Sequence, residues 1–209
     1  MTGRRKVIGV DFDNTIVCYD ALFHAISIEH GLLPADMPAG KDAVREHLRR
    51  TGREDKWTEL QGIVYGARIR DAIPFPGALE FFMRAARSGL TVHIVSHKTR
   101  QAVAGLPYDL HQAARDWLAH QGFFDPDRIG LPPNRVHFCT TRNEKIEKIK
   151  ALECALFIDD LEEVYREAAF PTDAERILFA PQGEASPPAG VKVLKSWQEI
   201  SDYVFTGCN

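Results

Sequence analysis

The stretch KVIGVDFDNTIVCYD, residues 6–20, ends a short apolar run on two carboxylates, Asp11 and Asp13. Val7, Ile8 and Val10 read as a strand buried on both faces, as in the interior of a parallel sheet. Side chains alternate along a strand, so Asp11 and Asp13 share one side of the backbone. Like charges this close repel and raise each other's pKa unless a cation or a held proton intervenes. The motif alone does not decide, because Asp125-Pro126-Asp127 repeats it in an evident loop. The rest of the chain has to supply the context.

Five further strand-like runs follow: TVHIVS ending at Ser96, RVHFC at Cys139, ALFID at Asp159, RILF at Phe179 and VKVL at Leu194. Amphipathic segments at 110–120 and 143–152 separate three of them. This alternation predicts an α/β fold, a Rossmann-like doubly wound parallel sheet. Residues 180–190, APQGEASPPAG, read as a loop. Between the first and second strands lie far more residues than one crossover helix needs. Part is a helix over 77–88, announced by PFPG and ended by Gly89. The rest reads as helices over 21–30, 41–50 and 54–70, broken at GLLPADMPAG and TGRED. The expected organisation is a core of residues 1–16 and 72–209 with a small all-helical insert over 17–71, standing over the carboxyl ends of the strands. That edge is where open α/β sheets bind ligands.

Composition limits the alternatives. The 209 residues suffice for a generous domain or a domain with an insert, and the formal net charge of −3 gives no basic footprint for nucleic acid. No apolar run reaches membrane length, and MTGRRKVIGV lacks the apolar stretch of a signal peptide, so no membrane partner is expected. Cys18, Cys139, Cys154 and Cys208 form no Cys-x-x-Cys pair, which predicts a reducing cytoplasm with neither a disulfide framework nor a zinc site. The histidines show no His-Glu-x-x-His spacing, and no Gly-x-x-x-x-Gly-Lys-Ser/Thr loop marks a kinase.

In a parallel sheet the strand ends face one crevice. Here they carry Asp11 and Asp13, then Ser96, then Asp159-Asp160, and the helix near Asn143 starts at the same edge with Lys145 in its first turn. Such an accumulation of carboxylates calls for a hard cation, and Mg²⁺ suits one or two carboxylates with water and phosphate oxygens. Two lysines compete to neutralise the cluster. Ile146, Ile149 and Leu152 define the buried stripe of their helix; Lys145 falls within it and Lys148 at its margin, so Lys145 is the expected choice.

The order DFDNT, IVSHK, lysine, FIDD resembles the haloacid dehalogenase (HAD) superfamily over nearly the whole chain, about residues 7–193. The insert resembles that family's C1 cap. The resemblance implies a Mg²⁺-dependent phosphatase with Asp11 as nucleophile and metal ligand. Asp13 would protonate the leaving oxygen, then activate water, and lend its backbone carbonyl to the metal. Dehalogenating members lack this second Asp. Ser96 would hydrogen-bond a phosphoryl oxygen, Asp160 would contact the metal, and Asp159 would act indirectly or through water. The family's usual Gly is Asn14 here, a residue that tolerates the same positive φ. Thr15 would bond within the nucleophile's loop or cap a turn.

The implied substrate is a small phosphate ester, a sugar phosphate or a nucleotide, because a cap restricts access. Arg45, Arg49, Trp57, Tyr65 and Arg68 on the insert, and His97, Lys98, Arg100 and Tyr108 after Ser96, are candidates to reach it. A phosphotransferase or phosphomutase, or a phospho-ligand module without catalysis, are the alternatives. A response-regulator receiver is disfavoured, because there the acidic pair precedes the lysine and no insert occurs. The oligomeric state is open.

Overall fold

The computed structural model describes residues 6–34, 36–183 and 185–206; Cys208 lies outside them. The chain forms β1 (Val7–Val10), β2 (Val17–Cys18), α1 (Asp20–Glu29), α2 (Lys41–Arg50), α3 (Glu54–Gly62), β3 (Ile73–Pro74), α4 (Ala78–Arg87) and β4 (Thr91–His97). It continues through α5 (Leu110–His120), β5 (Val136–Cys139), α6 (Arg142–Ala151), β6 (Leu156–Asp159), α7 (Glu162–Arg166), β7 (Glu175–Phe179), β8 (Val191–Leu194) and α8 (Trp197–Thr206).

Six strands make one sheet in the order β5-β4-β1-β6-β7-β8, and every pairing is parallel. The expected α/β class is therefore the observed one. β1 is interior, which explains its continuous apolar run. Gly9 is required there: a Cβ would come within 2.4 Å of the Phe157 ring on neighbouring β6. Val95, Ile146, Ile149, Phe157 and Leu178 share one buried cluster that joins α6 to the sheet. A second, aromatic cluster joins α4 to α8, with Phe81 and Phe82 centred 5.0 and 6.3 Å from the Trp197 ring.

The chain divides into two compact units. One contains the six-stranded sheet: the chain up to Ile16, Pro74–His97, and the chain from Gly122. The other is Val17–Ile73 together with Lys98–Gln121. The second piece departs from the expected division, which left 98–121 in the core. Its attachment rests on α5 and the loop before it. The Trp117 indole N–H donates to the Ala72 carbonyl at 2.9 Å, and Tyr108 lies so close to Gly66 that a Cβ there would meet it at 2.6 Å. An apolar stripe on a helix announces burial but not the surface that covers it.

The second unit has its own aromatic core. Phe23 stacks on Trp57 at 4.9 Å, and Tyr65 stands edge-on to Tyr19 and Phe23 at 4.9 and 5.5 Å. Trp57 is thus a core residue, and Arg68 is committed to Glu29 and Asp71. The helix expected over 54–70 breaks at Gly62 into a π turn, Ile63–Ala67, and a 3₁₀ turn, Ile69–Asp71. β4 runs one residue beyond Ser96. Among the described residues, no helix is long and apolar enough to cross a membrane.

In the first unit, His93 on β4 and His137 on β5 share a hydrogen bond of 3.1 Å, their rings nearly parallel at 17°. Burial, then the nearby Arg135 and Lys148, hold the His93 imidazole below its usual pKa. The unfolded chain therefore binds this proton more readily than the folded one. Its contribution to stability is present above the unfolded value, about 6.5, and is lost as pH falls below it. Urea denaturation between pH 7.5 and 5.5 is expected to show the wild type losing stability relative to His93→Gln. Parallel profiles would contradict this assignment.

Candidate active site at the carboxyl edge of the sheet

β1 and β6 are adjacent in register, Val10 opposite Ile158, so the residues that follow, Asp11 and Asp159, come side by side. The Asp11 amide donates to the Ile158 carbonyl at 2.9 Å and continues the ladder one step beyond β1. Asp160 is the next residue after β6. α6 starts after β5 with its N-cap intact, the Thr141 side chain accepting from the Glu144 amide. That start places Lys145, 1% exposed, beneath the two aspartates. Its Nζ donates to Asp11 Oδ1 and to Asp159 Oδ2, both at 2.6 Å. Lys148, one turn on, is only partly buried and makes neither contact. The geometry thus singles out Lys145.

Carboxylate oxygens of Asp11, Asp159 and Asp160 lie within 4.8 Å of one another. Both Asp159 oxygens already accept hydrogen bonds, Oδ2 from Lys145 and Oδ1 from the Leu161 amide at 3.0 Å. Asp160 Oδ1 accepts from the Thr15 hydroxyl at 3.1 Å. Asp13 is half-buried, and its carboxylate stays outside this trio. Burial pushes the Asp11 carboxyl up to about 7, with Lys145 opposing and the Asp159 and Asp13 charges adding to the rise. For Lys145, burial pulls the ammonium down, but Asp11 and Asp159 outweigh it and the net direction is upward. Three carboxylates facing one ammonium form an all-oxygen, anionic donor set of the kind hard divalent cations take.

Ser96, next to last in β4, is 1% exposed, and its hydroxyl has no hydrogen-bond partner among the described residues. A buried hydroxyl without a partner is costly in a folded chain and marks a position worth explaining.

No family model matches the chain, and no curated protein does. Solved structures do. A HAD-superfamily hydrolase from Ehrlichia chaffeensis matches with a TM-score of 0.54 at 12% identity, over 100% of both chains. A Bacillus subtilis protein described as a HAD-hydrolase, bound to magnesium, gives 0.59 at 15% identity over 97% of this chain and 99% of its own. A HAD family hydrolase from Deinococcus radiodurans, with bound phosphate and sodium, gives 0.57 at 15% over 98% and 96%. The chain has the HAD fold.

Within the HAD fold of this chain, Asn14 sits at φ 57°, the left-handed geometry that the sequence predicted for it. Asn14→Gly is expected to leave stability nearly unchanged, and Asn14→Ala to cost about 1 kcal/mol by denaturant titration. Equal losses in both would contradict the backbone explanation.

Other candidates make contacts of their own. His97 is exposed with Nε2 3.2 Å from the Thr140 carbonyl, and Arg100 pairs with Asp109 at 3.6 Å. In the second unit, Lys98 is buried with Nζ 4.9 Å from the centre of the Tyr65 ring. Sequence reasoning missed the tie from Thr15 to Asp160 and the bond from the Trp197 indole N–H to the Thr15 carbonyl, 3.0 Å across 182 positions. Only a DFDNT threonine and a tryptophan among polar neighbours, Lys195-Ser196 and Gln198-Glu199, are visible, and neither names a partner so distant.

Proposed function

We propose that the protein is a Mg²⁺-dependent phosphatase that hydrolyses a small phosphate ester, of the sugar phosphate or nucleotide class, through an aspartyl-phosphate on Asp11. One observation carries the reading. Lys145 bridges Asp11 and Asp159 at the carboxyl edge of the sheet, an oxygen of Asp160 lies within 4.8 Å of theirs, and Ser96 on adjacent β4 has a buried hydroxyl with no hydrogen-bond partner among the described residues. Two structural neighbours are described with magnesium and with phosphate, which supports the same chemistry here.

Lys145 fixes Asp11 Oδ1, so the other carboxylate oxygen is the one to attack phosphorus. The bond from phosphorus to the ester oxygen breaks as the bond to Asp11 forms, and Asp13 gives the departing oxygen its proton. Asp13, now a carboxylate, takes a proton from water; the water oxygen bonds to phosphorus, inorganic phosphate leaves, and Asp11 is restored. Ser96 donates to a phosphoryl oxygen throughout, which gives its buried hydroxyl a partner. Asp11, Asp160 and the Asp13 carbonyl would hold Mg²⁺, with Asp159 acting indirectly. When bound, the cation neutralises charge on the phosphoryl oxygens and on the carboxylates themselves. The second acid also separates this site from dehalogenation, which needs no proton delivered to a leaving oxygen.

The test is phosphate release from sugar phosphates, nucleotides and p-nitrophenyl phosphate, with and without Mg²⁺. Turnover that requires Mg²⁺ is expected. A folded, Mg²⁺-binding protein that releases no phosphate from the whole panel would overturn the phosphatase reading. Release only on adding a sugar acceptor would convert it to a phosphotransferase.

A further inference from the structure

α8 closes the described chain far from DFDNT in sequence, yet its first residue reaches the acidic cluster. The Trp197 indole N–H donates to the Thr15 carbonyl at 3.0 Å, and the Thr15 hydroxyl donates to Asp160 Oδ1 at 3.1 Å. Trp197 and Thr15 are both 0% exposed, so the indole bond is shielded from bulk water, while the bond to the half-buried Asp160 is shielded on the threonine side. Trp197 is itself immobilised. Phe81 and Phe179 lie 5.0 and 6.0 Å from its ring, and the backbone of Gly77, at φ 87°, passes so close that a Cβ there would meet the Trp197 Cβ at 3.0 Å.

Packing alone does not require this arrangement. A phenylalanine would keep the aromatic packing but leave part of the space unfilled; what tryptophan adds besides bulk is one N–H donor, and it is spent on the residue that orients Asp160. A carboxylate free to rotate about its χ angles gives up conformational freedom when it coordinates a cation, and one held beforehand gives up less. Groups that hold ligating carboxylates from behind typically change metal affinity tenfold or more when removed. We propose that Trp197 is a positioning residue of the metal centre, fixing Asp160 through Thr15 so that α8 contributes to Mg²⁺ affinity. This inference rests on the metal site of the proposed function, and it concerns affinity rather than the chemical step.

The experiment measures Mg²⁺ binding by calorimetry, without substrate, on the wild-type full chain, Thr15→Val, Thr15→Ser, Trp197→Phe and the double variant Thr15→Val/Trp197→Phe. Thr15→Val is expected to weaken binding about tenfold, Trp197→Phe about threefold, and Thr15→Ser little. The decisive reading is non-additivity: if Trp197 acts through the threonine hydroxyl, Trp197→Phe changes nothing further once that hydroxyl is gone. A merely structural tryptophan would lower the melting temperature and leave the Mg²⁺ constant alone. In parallel, the Trp197 indole N–H resonance of the wild type is expected to shift on Mg²⁺ addition, and to stay still in Thr15→Val. This second measurement needs no Trp197 variant to fold. Unchanged affinity in Trp197→Phe, fully additive losses, or an indole resonance that ignores saturating Mg²⁺ would each overturn the inference while leaving the phosphatase reading intact. Absence of any Mg²⁺ binding by the wild type would overturn both.

Discussion

Asp11→Asn is expected to reduce phosphate release by about 10⁴-fold or more, the scale of losing a nucleophile that no neighbour replaces. The amide preserves the shape of the side chain and can still accept from Lys145, but its oxygen cannot form the acyl phosphate that water reopens. Asp159 does not substitute, because both of its oxygens are bonded, to Lys145 and to the Leu161 amide. Asp160 is tied to Thr15 on one side. The check is kcat at saturating Mg²⁺ beside a circular dichroism melt. A folded Asp11→Asn protein retaining a tenth of wild-type turnover would exclude Asp11 as nucleophile.

Lys145→Met is the second large effect, and it falls on stability first. Asp11 and Asp159 are 4% and 0% exposed, and the Lys145 ammonium is 2.6 Å from both. Removing one partner of a buried charged group strands the others, at a cost of about 3–5 kcal/mol. Methionine matches the stem in length, so the loss reports the charge rather than a cavity. Part of the cost should return on adding Mg²⁺, which binds the folded state and supplies the missing positive charge. Urea titrations with and without Mg²⁺ measure both. A loss below about 1 kcal/mol would show that the carboxylates are neutral, or screened by other means.

Much of this was legible in the sequence, for a physical reason. The strand ends are set by local apolar pattern, and a parallel sheet brings every such end to one edge, so Asp11, Ser96 and Asp159 could be assembled before any distance was known. Lys145 was readable because a charge inside an apolar helical stripe needs a partner. The helical period also distinguished it from Lys148. Asn14 was readable because few residues adopt its φ.

What failed was long-range or lacked a pattern. α7 is five residues long, too short for a periodic signal, and the apolar period of α8, Trp197, Ile200 and Val204, says that a face is buried but not against what. Without α8 the bond from Trp197 to Thr15 could not be conceived. The grouping of 98–121 with the insert depended on Gly66 making room for Tyr108, a contact that no local pattern encodes. The π turn at 63–67 likewise looks like ordinary helix in sequence.

The proposed mechanism is covalent, with phosphorus passing through Asp11. The measurement that tests it most directly is mass spectrometry of the protein acid-quenched during turnover of p-nitrophenyl phosphate or the best ester of the panel. One added phosphoryl group is expected, labile to hydroxylamine, mapping to the peptide that carries Asp11 and absent from Asp11→Asn. Rapid phosphate release with no phosphoryl group on that peptide would contradict it.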